Sequence, residues 1–396
     1  GGVGVGGRGG GGGAAGAGGS GGVRHAGGGD GARAGDVWVG KRVLVTGAAG
    51  SVGAALSLRL ASSGCARLGL LDQFDHGLLA VTEAVERGKS QGVQITDLLW
   101  DVGDGERLCA QFARFAPDIV IHAAALKHVH LGERHPGECV LTNLMGTRNA
   151  LEASPQSGAT DFVLISTDKA AAPVCTMGAV KRLAELYLRG FALERQTCMR
   201  LRAVRFGNVL GSQGSVEPRF AAQIAAGGPV EITHPDMQRF FMTADEAVTL
   251  ILSVLSDASA PQASVFVKNM GAPVSVLELA HQMMDEFGRR VPIAFVGPRP
   301  GEKLTELLFD EFEQAQPSCV DGAFAVTPNS AQASASSADL AGLERLARSM
   351  NEAGLRQRVF ALLGERLGVS QAGAPRCDSG AAAHAELERA AARGDA

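Results

Sequence analysis

An α/β fold, a doubly wound parallel sheet with a smaller α/β substrate lobe, is predicted from three observations. From Val37 onward, short β-branched or Leu-rich runs alternate with longer helical stretches. The first run passes directly into Gly47-Ala-Ala-Gly50-Ser-Val-Gly53, a glycine spacing that turns a strand into a helix and lets the backbone approach a pyrophosphate. The second run ends on an acidic residue, Asp72. The composition agrees with a globular chain: 396 residues, 45% hydrophobic, 20% charged, formal net charge −4. That balance excludes a basic nucleic-acid binder, so no nucleic-acid partner is expected.

The strands are read in order as Arg42–Thr46, Arg67–Leu71, a segment near Val93–Trp100, Asp118–Ile121, Phe162–Ser166 and Leu201–Phe206, with helices between them. Residues 1–36 hold most of the glycine excess, since 21 of the 54 glycines fall in residues 1–40, and they are expected to form a disordered tail. Residues 37–210 are assigned to the dinucleotide-binding (Rossmann) domain, with a return contribution from 241–270. Residues 211–320, richer in loops and Pro-containing turns, are assigned to the substrate lobe over the strand ends, where open α/β sheets bind ligands. Residues 321–396 are read as a low-complexity linker followed by helices with Leu340, Leu343, Leu346, Leu355 and Leu362.

No run approaches the roughly 18–20 apolar residues that cross a bilayer, so no membrane segment is expected in this chain. The seven cysteines are odd in number, scattered and free of any C-x-x-C pair, which points to a reducing cytoplasm and away from a zinc site. A cluster of His128, His130 and His135 lacks an evident fourth ligand, and no metal is assigned. The chain has one tyrosine, Tyr187, so any chemistry that needs a tyrosine acid or base must use it or do without.

Asp72 lies 25 residues after Gly47, where a carboxylate can accept from the adenosine ribose hydroxyls and repel a 2′-phosphate, favouring NAD over NADP. A helix-capping or turn aspartate would occupy the same position. Asp101, after the third strand, is placed for an adenine contact. The fifth strand runs into Ser166-Thr167-Asp168-Lys169, and a helix beginning near Met177 carries Lys181 one turn later.

Gly47–Gly53, His122-Ala-Ala-Ala-Leu-Lys127-His128-Val, Ser166-Thr-Asp-Lys169 and Arg205-Phe-Gly-Asn208-Val-Leu-Gly resemble the extended short-chain dehydrogenase/reductases, and more narrowly their polysaccharide-biosynthesis nucleotide-sugar 4,6-dehydratases. Thr233-His-Pro through Arg239-Phe-Phe-Met-Thr243 and Gly297-Pro-Arg299-Pro-Gly-Glu302-Lys303-Leu continue the likeness over roughly residues 38–310. Most of that superfamily transfers its proton through Tyr-x-x-x-Lys; here the pair reads Met177-x-x-x-Lys181. A thioether carries no proton. Tyr187, six residues beyond Lys181, points to another helix face.

The resemblance implies a UDP-N-acetylglucosamine 4,6-dehydratase that oxidises C4, eliminates water across C5 and C6 and returns the hydride to C6. It implies Asp168 as the C6 acid and Lys169 as the C5 base, each with a pKa moved toward neutrality, and Thr167 on the C4 oxygen. The C4 proton leaves through Thr167, Asp168 or water. Lys181 would hold the nicotinamide ribose, and Gly47, Gly50, Ser51, Val52, Gly53, Asp72, Asp101, Val102, Ala123 and Ala124 the rest of the cofactor. Lys127, Asn208, Arg239 and Arg299 would meet the substrate, and Asn143 would steady the active-site backbone. Ala172 and Thr176 stand where the family commonly has asparagines, and Leu126 replaces a frequent tyrosine. A homo-oligomer is expected. The rival expectations are a UDP-sugar 4-epimerase and a catalytically silent nucleotide-binding regulator.

Overall fold

The computed structural model describes residues 36–368 apart from 260 and 331. The tail expected over residues 1–36 lies outside the described residues except for Asp36, as does everything beyond residue 368.

Six strands carry the sheet: β1 (Arg42–Thr46), β2 (Arg67–Asp72), β3 (Gln94–Leu99), β4 (Ile119–His122), β5 (Asp161–Ile165) and β6 (Arg200–Arg205). They pair in parallel in the order β3-β2-β1-β4-β5-β6. β1, β4 and β5 read as unbroken apolar runs because helices cover both faces of the sheet. The helices are α1 (Ser51–Ser62), α2 (Asp75–Gly88), α3 (Gly105–Phe115), α4 (Val129–Arg134), α5 (Pro136–Cys139), α6 (Gly146–Gln156) and α7 (Thr176–Arg195). One core gathers residues of α3, α6 and α7, and of the later helices Ser337–Arg348 and Glu352–Leu367. The other gathers residues of α1, α2 and the helix Ala244–Ser256. Thr243, quoted above within a motif, is the N-cap of that last helix, and its capping box with Glu246 gives it a structural role.

Three more strands extend the sheet beyond β6. Ser264–Lys268 pairs parallel with β6, and Ala323–Pro328 and Glu313–Pro317 follow antiparallel at the edge. Residues 323–328 were expected within a linker. They pair on both sides, with Ser264–Lys268 and with Glu313–Pro317, and it is the latter, EQAQP, that forms the edge, where one bare side tolerates proline and polar residues. A third, smaller core joins the helices Val216–Ala226 and Val276–Glu286 to the parallel pair Val230–Ile232 and Ile293–Phe295. This layer holds Arg219 and leads into the loop 297–308.

The edge strands are fastened by charge. Arg205 of β6, fully buried, donates to Glu185 of α7 and to Glu313, and Arg182 reaches the same two carboxylates. Burial alone would raise Glu313, but the two guanidiniums hold its carboxyl down to about 2. Glu185 also accepts from Ser166 Oγ at 2.6 Å, and the Asp310 backbone N–H donates to Glu313 at 3.1 Å. Asp310 in turn accepts from the backbone N–H of Ala172 at 3.0 Å. Ala172 sits at φ +40°, a left-handed conformation that favours Asn or Gly and costs alanine about 1–2 kcal/mol. This gives the missing asparagine at 172 a physical consequence.

Two outcomes are expected. Glu313→Gln leaves two buried guanidiniums short of an anion and lowers unfolding free energy by about 3–5 kcal/mol in urea titration at pH 7. Because the folded carboxyl titrates well below its unfolded value, its contribution is present above about pH 4.5 and is lost as pH falls toward 2; the variant should therefore lose less stability than the parent over that interval. Ala172→Gly raises the denaturant midpoint, by about 1 kcal/mol of stability, and an unchanged or lower midpoint would contradict strain at this position.

Candidate active site

The turn after β1 forms the floor of a cleft. Gly47, at φ +69°, lies so close to the next crossover that a Cβ there would stand 2.5 Å from the Ala124 backbone nitrogen. Gly50 ends the turn as the N-cap of α1 without a side-chain cap. The cleft, about 340 Å³, is lined by Gly47, Ala49, Gly50, Asp72, Asp101, Val102, Ala123 and Ala124 among others. Asp72 accepts from the Ala49 N–H at 2.9 Å and from the Phe74 N–H at 3.0 Å, which fixes the carboxylate at the cleft wall. Asp101 accepts from the Gly103 N–H at 2.8 Å.

Four of the expected cofactor residues, Ser51, Val52, Gly53 and Lys181, stand back from this lining. Gly53 faces its own turn, since a Cβ there would meet the Gly47 carbonyl at 2.1 Å; its role is helix–strand packing. Val52 packs against a core. Ser51 accepts from the Gln213 N–H at 3.0 Å, which draws the loop after residue 209 over the cleft. Gln213, Phe74 and Trp100 line the cleft and were not anticipated. Trp100 carries Arg107 over its ring at 4.2 Å, and only the aromatic beside Asp101 hinted at it.

Behind the cleft, a π-helical turn, Val140–Met145, aims Asn143 at the strand β4 exit. Its amide accepts from the Leu126 N–H at 2.7 Å and donates to the Leu126 carbonyl at 2.9 Å. Lys181, buried on α7, donates to the Ile165 carbonyl at 2.9 Å, and burial pulls its pKa down to about 8. His122 bonds Thr46 through Nδ1 at 2.8 Å, and burial together with the Lys181 charge depresses it to about 3, so it stays neutral.

The chemistry-bearing stretch follows β5 as a single 3₁₀ turn, Asp168–Ala170. Asp168 is fully buried; one of its oxygens accepts from Lys169 Nζ and from Thr167 Oγ1, each at 2.9 Å, while the other has no partner. Lys169 also reaches Asn208 Oδ1 at 3.4 Å and Glu306 at 3.8 Å. The expectation of a lysine pKa moved toward neutrality is corrected here. Burial does pull it down, but the charges of Asp168 and Glu306 outweigh that and raise it, so the resting side chain is an ammonium.

Met177 does not join this group. It is buried in the core beside Gly132, where a Cβ on Gly132 would lie 3.3 Å from the Met177 Cβ. Tyr187 points away, donating to Glu152 at 2.7 Å, and burial raises its hydroxyl further. Arg239 donates through Nη1 to the backbone carbonyls of Gln238, Lys303 and Leu304, and so shapes the loop 303–304. Lys127 is exposed and reaches Ser212 Oγ at 3.3 Å. Arg299 is half-buried; burial and then the Arg299 charge depress Arg219, so two cations share one neighbourhood. Arg219 and Glu306 escaped the sequence reading; Glu306 continues a Glu302-Lys303-x-x-Glu306 spacing that places charges three apart.

Comparison with known proteins agrees with this geometry. The family model described as "Polysaccharide biosynthesis protein" matches residues 43–328. The chain is 40% identical over 277 residues to the probable polysaccharide biosynthesis protein EpsC of Bacillus subtilis, covering 69% of this chain and 46% of that protein. It is 33% identical over 283 residues to a UDP-glucose 4-epimerase of Rickettsia rickettsii, covering 71% and 81%. The chain thus spans about half the length of EpsC and most of the length of the epimerase. Among solved structures, Pen from Bacillus thuringiensis superposes with a TM-score of 0.66 at 28% identity over 76% of this chain and 91% of that one. DesIV of Streptomyces venezuelae, a dTDP-glucose 4,6-dehydratase solved with NAD bound, shares the fold with a TM-score of 0.61 at 20% identity, covering 78% and 97%. Among the described residues no helix is long and apolar enough to cross a membrane. With an extended short-chain dehydrogenase/reductase fold and a family match spanning most of its length, the chain belongs to the polysaccharide biosynthesis protein family.

Proposed function

We propose that this chain is an NAD-dependent nucleotide-sugar 4,6-dehydratase acting on UDP-N-acetylglucosamine for surface-polysaccharide synthesis. The observation that carries the reading is the ion pair of fully buried Asp168 with half-buried Lys169 at the end of β5, with a methionine where a proton-transferring tyrosine would stand. An epimerase needs only C4 oxidation; a dehydratase also needs an acid and a base side by side.

Asp72, Gly47, Gly50 and the Asp101–Val102 turn would hold NAD, with Lys181 toward the nicotinamide ribose. The fixed carboxylate of Asp72 repels a 2′-phosphate and so favours NAD over NADP. When bound, NAD supplies a hydride acceptor for C4 and a hydride donor for C6. Arg219 and Arg299 would meet the UDP diphosphate, a task suited to guanidinium forks, with Lys127 and Asn208 on sugar hydroxyls.

Asp168 and Lys169 share one proton across 2.9 Å. At rest it sits on the amine. Moving it to Asp168 gives a neutral acid and a neutral amine, a form that burial favours once substrate excludes water. With C4 a ketone, the C5 proton is acidified. Lys169 takes that proton, Asp168 gives its own to the C6 hydroxyl, the C6–O bond breaks and water leaves. Lys169 then returns its proton to C5 as C6 is reduced. The C4 hydroxyl proton leaves through Thr167 to water as C4 is oxidised, and one proton taken back from water after Lys169 has protonated C5 restores the pair.

Incubation with UDP-N-acetylglucosamine and NAD should yield a 4-keto-6-deoxy product lighter by one water in mass spectrometry. A product of unchanged mass epimeric at C4 would favour the activity named for the Rickettsia relatives, and cofactor binding with no turnover would favour a silent regulator. Lys169→Ala should lower kcat by about 10²–10⁴-fold while sparing cofactor binding. Met177→Ala should cost stability through a core cavity, about 2–5 kcal/mol, with kcat of the folded protein far less affected. Equal loss of kcat in both variants would contradict this division of labour.

A further inference from the structure

The loop following Arg299 brings a second ion pair to the acid–base centre, and neither residue of it has a role in the chemistry so far. Lys303 and Glu306 are both buried. Lys303 Nζ donates to the Ala171 carbonyl at 2.8 Å, at the end of the 3₁₀ turn that holds Asp168 and Lys169. It also lies 3.3 Å from Glu306 Oε2. Glu306 Oε1 lies 3.8 Å from Lys169 Nζ, while its Oε2 is buried with no hydrogen-bond partner. Beneath the loop, a Cβ on Gly301 would come 2.8 Å from Cys175 Cβ and 3.2 Å from Glu133 Cγ, so the loop is packed against the start of α7. Arg239 adds three bonds to the carbonyls of 238, 303 and 304. The loop is therefore anchored at both sides of the catalytic turn.

A carboxylate in this position has a definite electrostatic effect. The charged groups facing Lys169 are Asp168, Glu306 and Arg239, with Cys175 nearby; those facing Glu306 are Lys303, Lys169 and Cys175. Lys303 and Glu306 neutralise each other, as do Asp168 and Lys169. When Asp168 gives up or takes back its proton, Lys169 retains an anion beside it that does not take part in the exchange.

We propose that Glu306 is a positioning residue of the acid–base centre: a second carboxylate that holds the Lys169 ammonium and, with Lys303, ties the 301–306 loop to the catalytic turn. The proposal rests on the dehydratase reading for its catalytic meaning, but its geometric content is independent of turnover. Glu306 steadies the lysinium formed when Lys169 takes the C5 proton and keeps Nζ aimed between the two carboxylates.

The test reads Lys169 directly. Labelling of lysines by an amine-acylating reagent over pH 7–10, quantified at Lys169 by peptide mass spectrometry, follows the neutral amine fraction. Glu306→Gln keeps the size but removes the charge. A drop of one pKa unit at Lys169 makes its labelling about tenfold faster below the pKa, with Lys41 as an internal control expected to be unchanged. In the same variant the pH profile of kcat should move its lysine limb to lower pH. Unchanged labelling in a variant that melts as the parent does would overturn the proposal. If Glu306→Gln does not fold, Glu306→Asp carries the test, with its shorter side chain drawing the charge back and raising the labelling rate; an unaltered rate overturns the proposal equally. Altered labelling in a parent protein that dehydrates no UDP-hexosamine would sustain the contact while refuting the dehydratase reading.

Discussion

The fully buried exchange among Arg205, Arg182, Glu185 and Glu313 is the constraint on which the rest of the molecule depends. Two guanidiniums and two carboxylates are buried together, and each is tolerable only because the others are present. The four belong to β6, to α7 and to the edge strand Glu313–Pro317, so their pairing decides where that late segment joins the sheet. Glu185 also receives Ser166, and Asp310, tied to Glu313, receives the Ala172 N–H. The segment between Ser166 and Ala172 is held at both ends by this network, and Thr167, Asp168 and Lys169 lie within it.

Electrostatic order continues outward from there. Lys169 faces Asp168 and Glu306, Glu306 faces Lys303, and Lys303 holds the Ala171 carbonyl. The network beneath sets the backbone, and these pairs set the protonation states. Because burial and charge pull Lys169 in opposite directions, its state depends on which neighbours are ionised, as the proposed C5 base would require.

The parts of this arrangement that follow local rules were legible in the sequence. β1, β4 and β5 each carry an apolar run, Val43–Val45, Ile119–Ile121 and Phe162–Ile165, because they are buried on both faces, and Gly47 announces a turn that only glycine fits. The Ser166–Lys169 stretch was readable because it directly follows such a strand. Contacts made across long separations were not readable. Nothing local to Arg239 announces that its Nη1 donates to the backbone carbonyls of Lys303 and Leu304, 64 and 65 residues away, besides that of Gln238. Glu306 has no local signature beyond a spacing of charges, and residues 323–328 form a strand only because an edge was open to them. Ala172 shows the converse: the departure from the family pattern was visible in the sequence, but its positive φ was not.

The single tyrosine bonds Glu152 and Ser337 away from the catalytic turn, and Met177 is core. In the dehydratase proposed here, proton transfer would then fall to Thr167, Asp168 and Lys169. Turnover of UDP-N-acetylglucosamine in deuterium oxide, read by proton NMR of the product sugar, tests it most directly. The account predicts a product carrying solvent deuterium at C5 and the substrate's own C4 hydrogen at C6, with both signals lost in Asp168→Asn. A C4 epimer with no deuterium at C5 would contradict it.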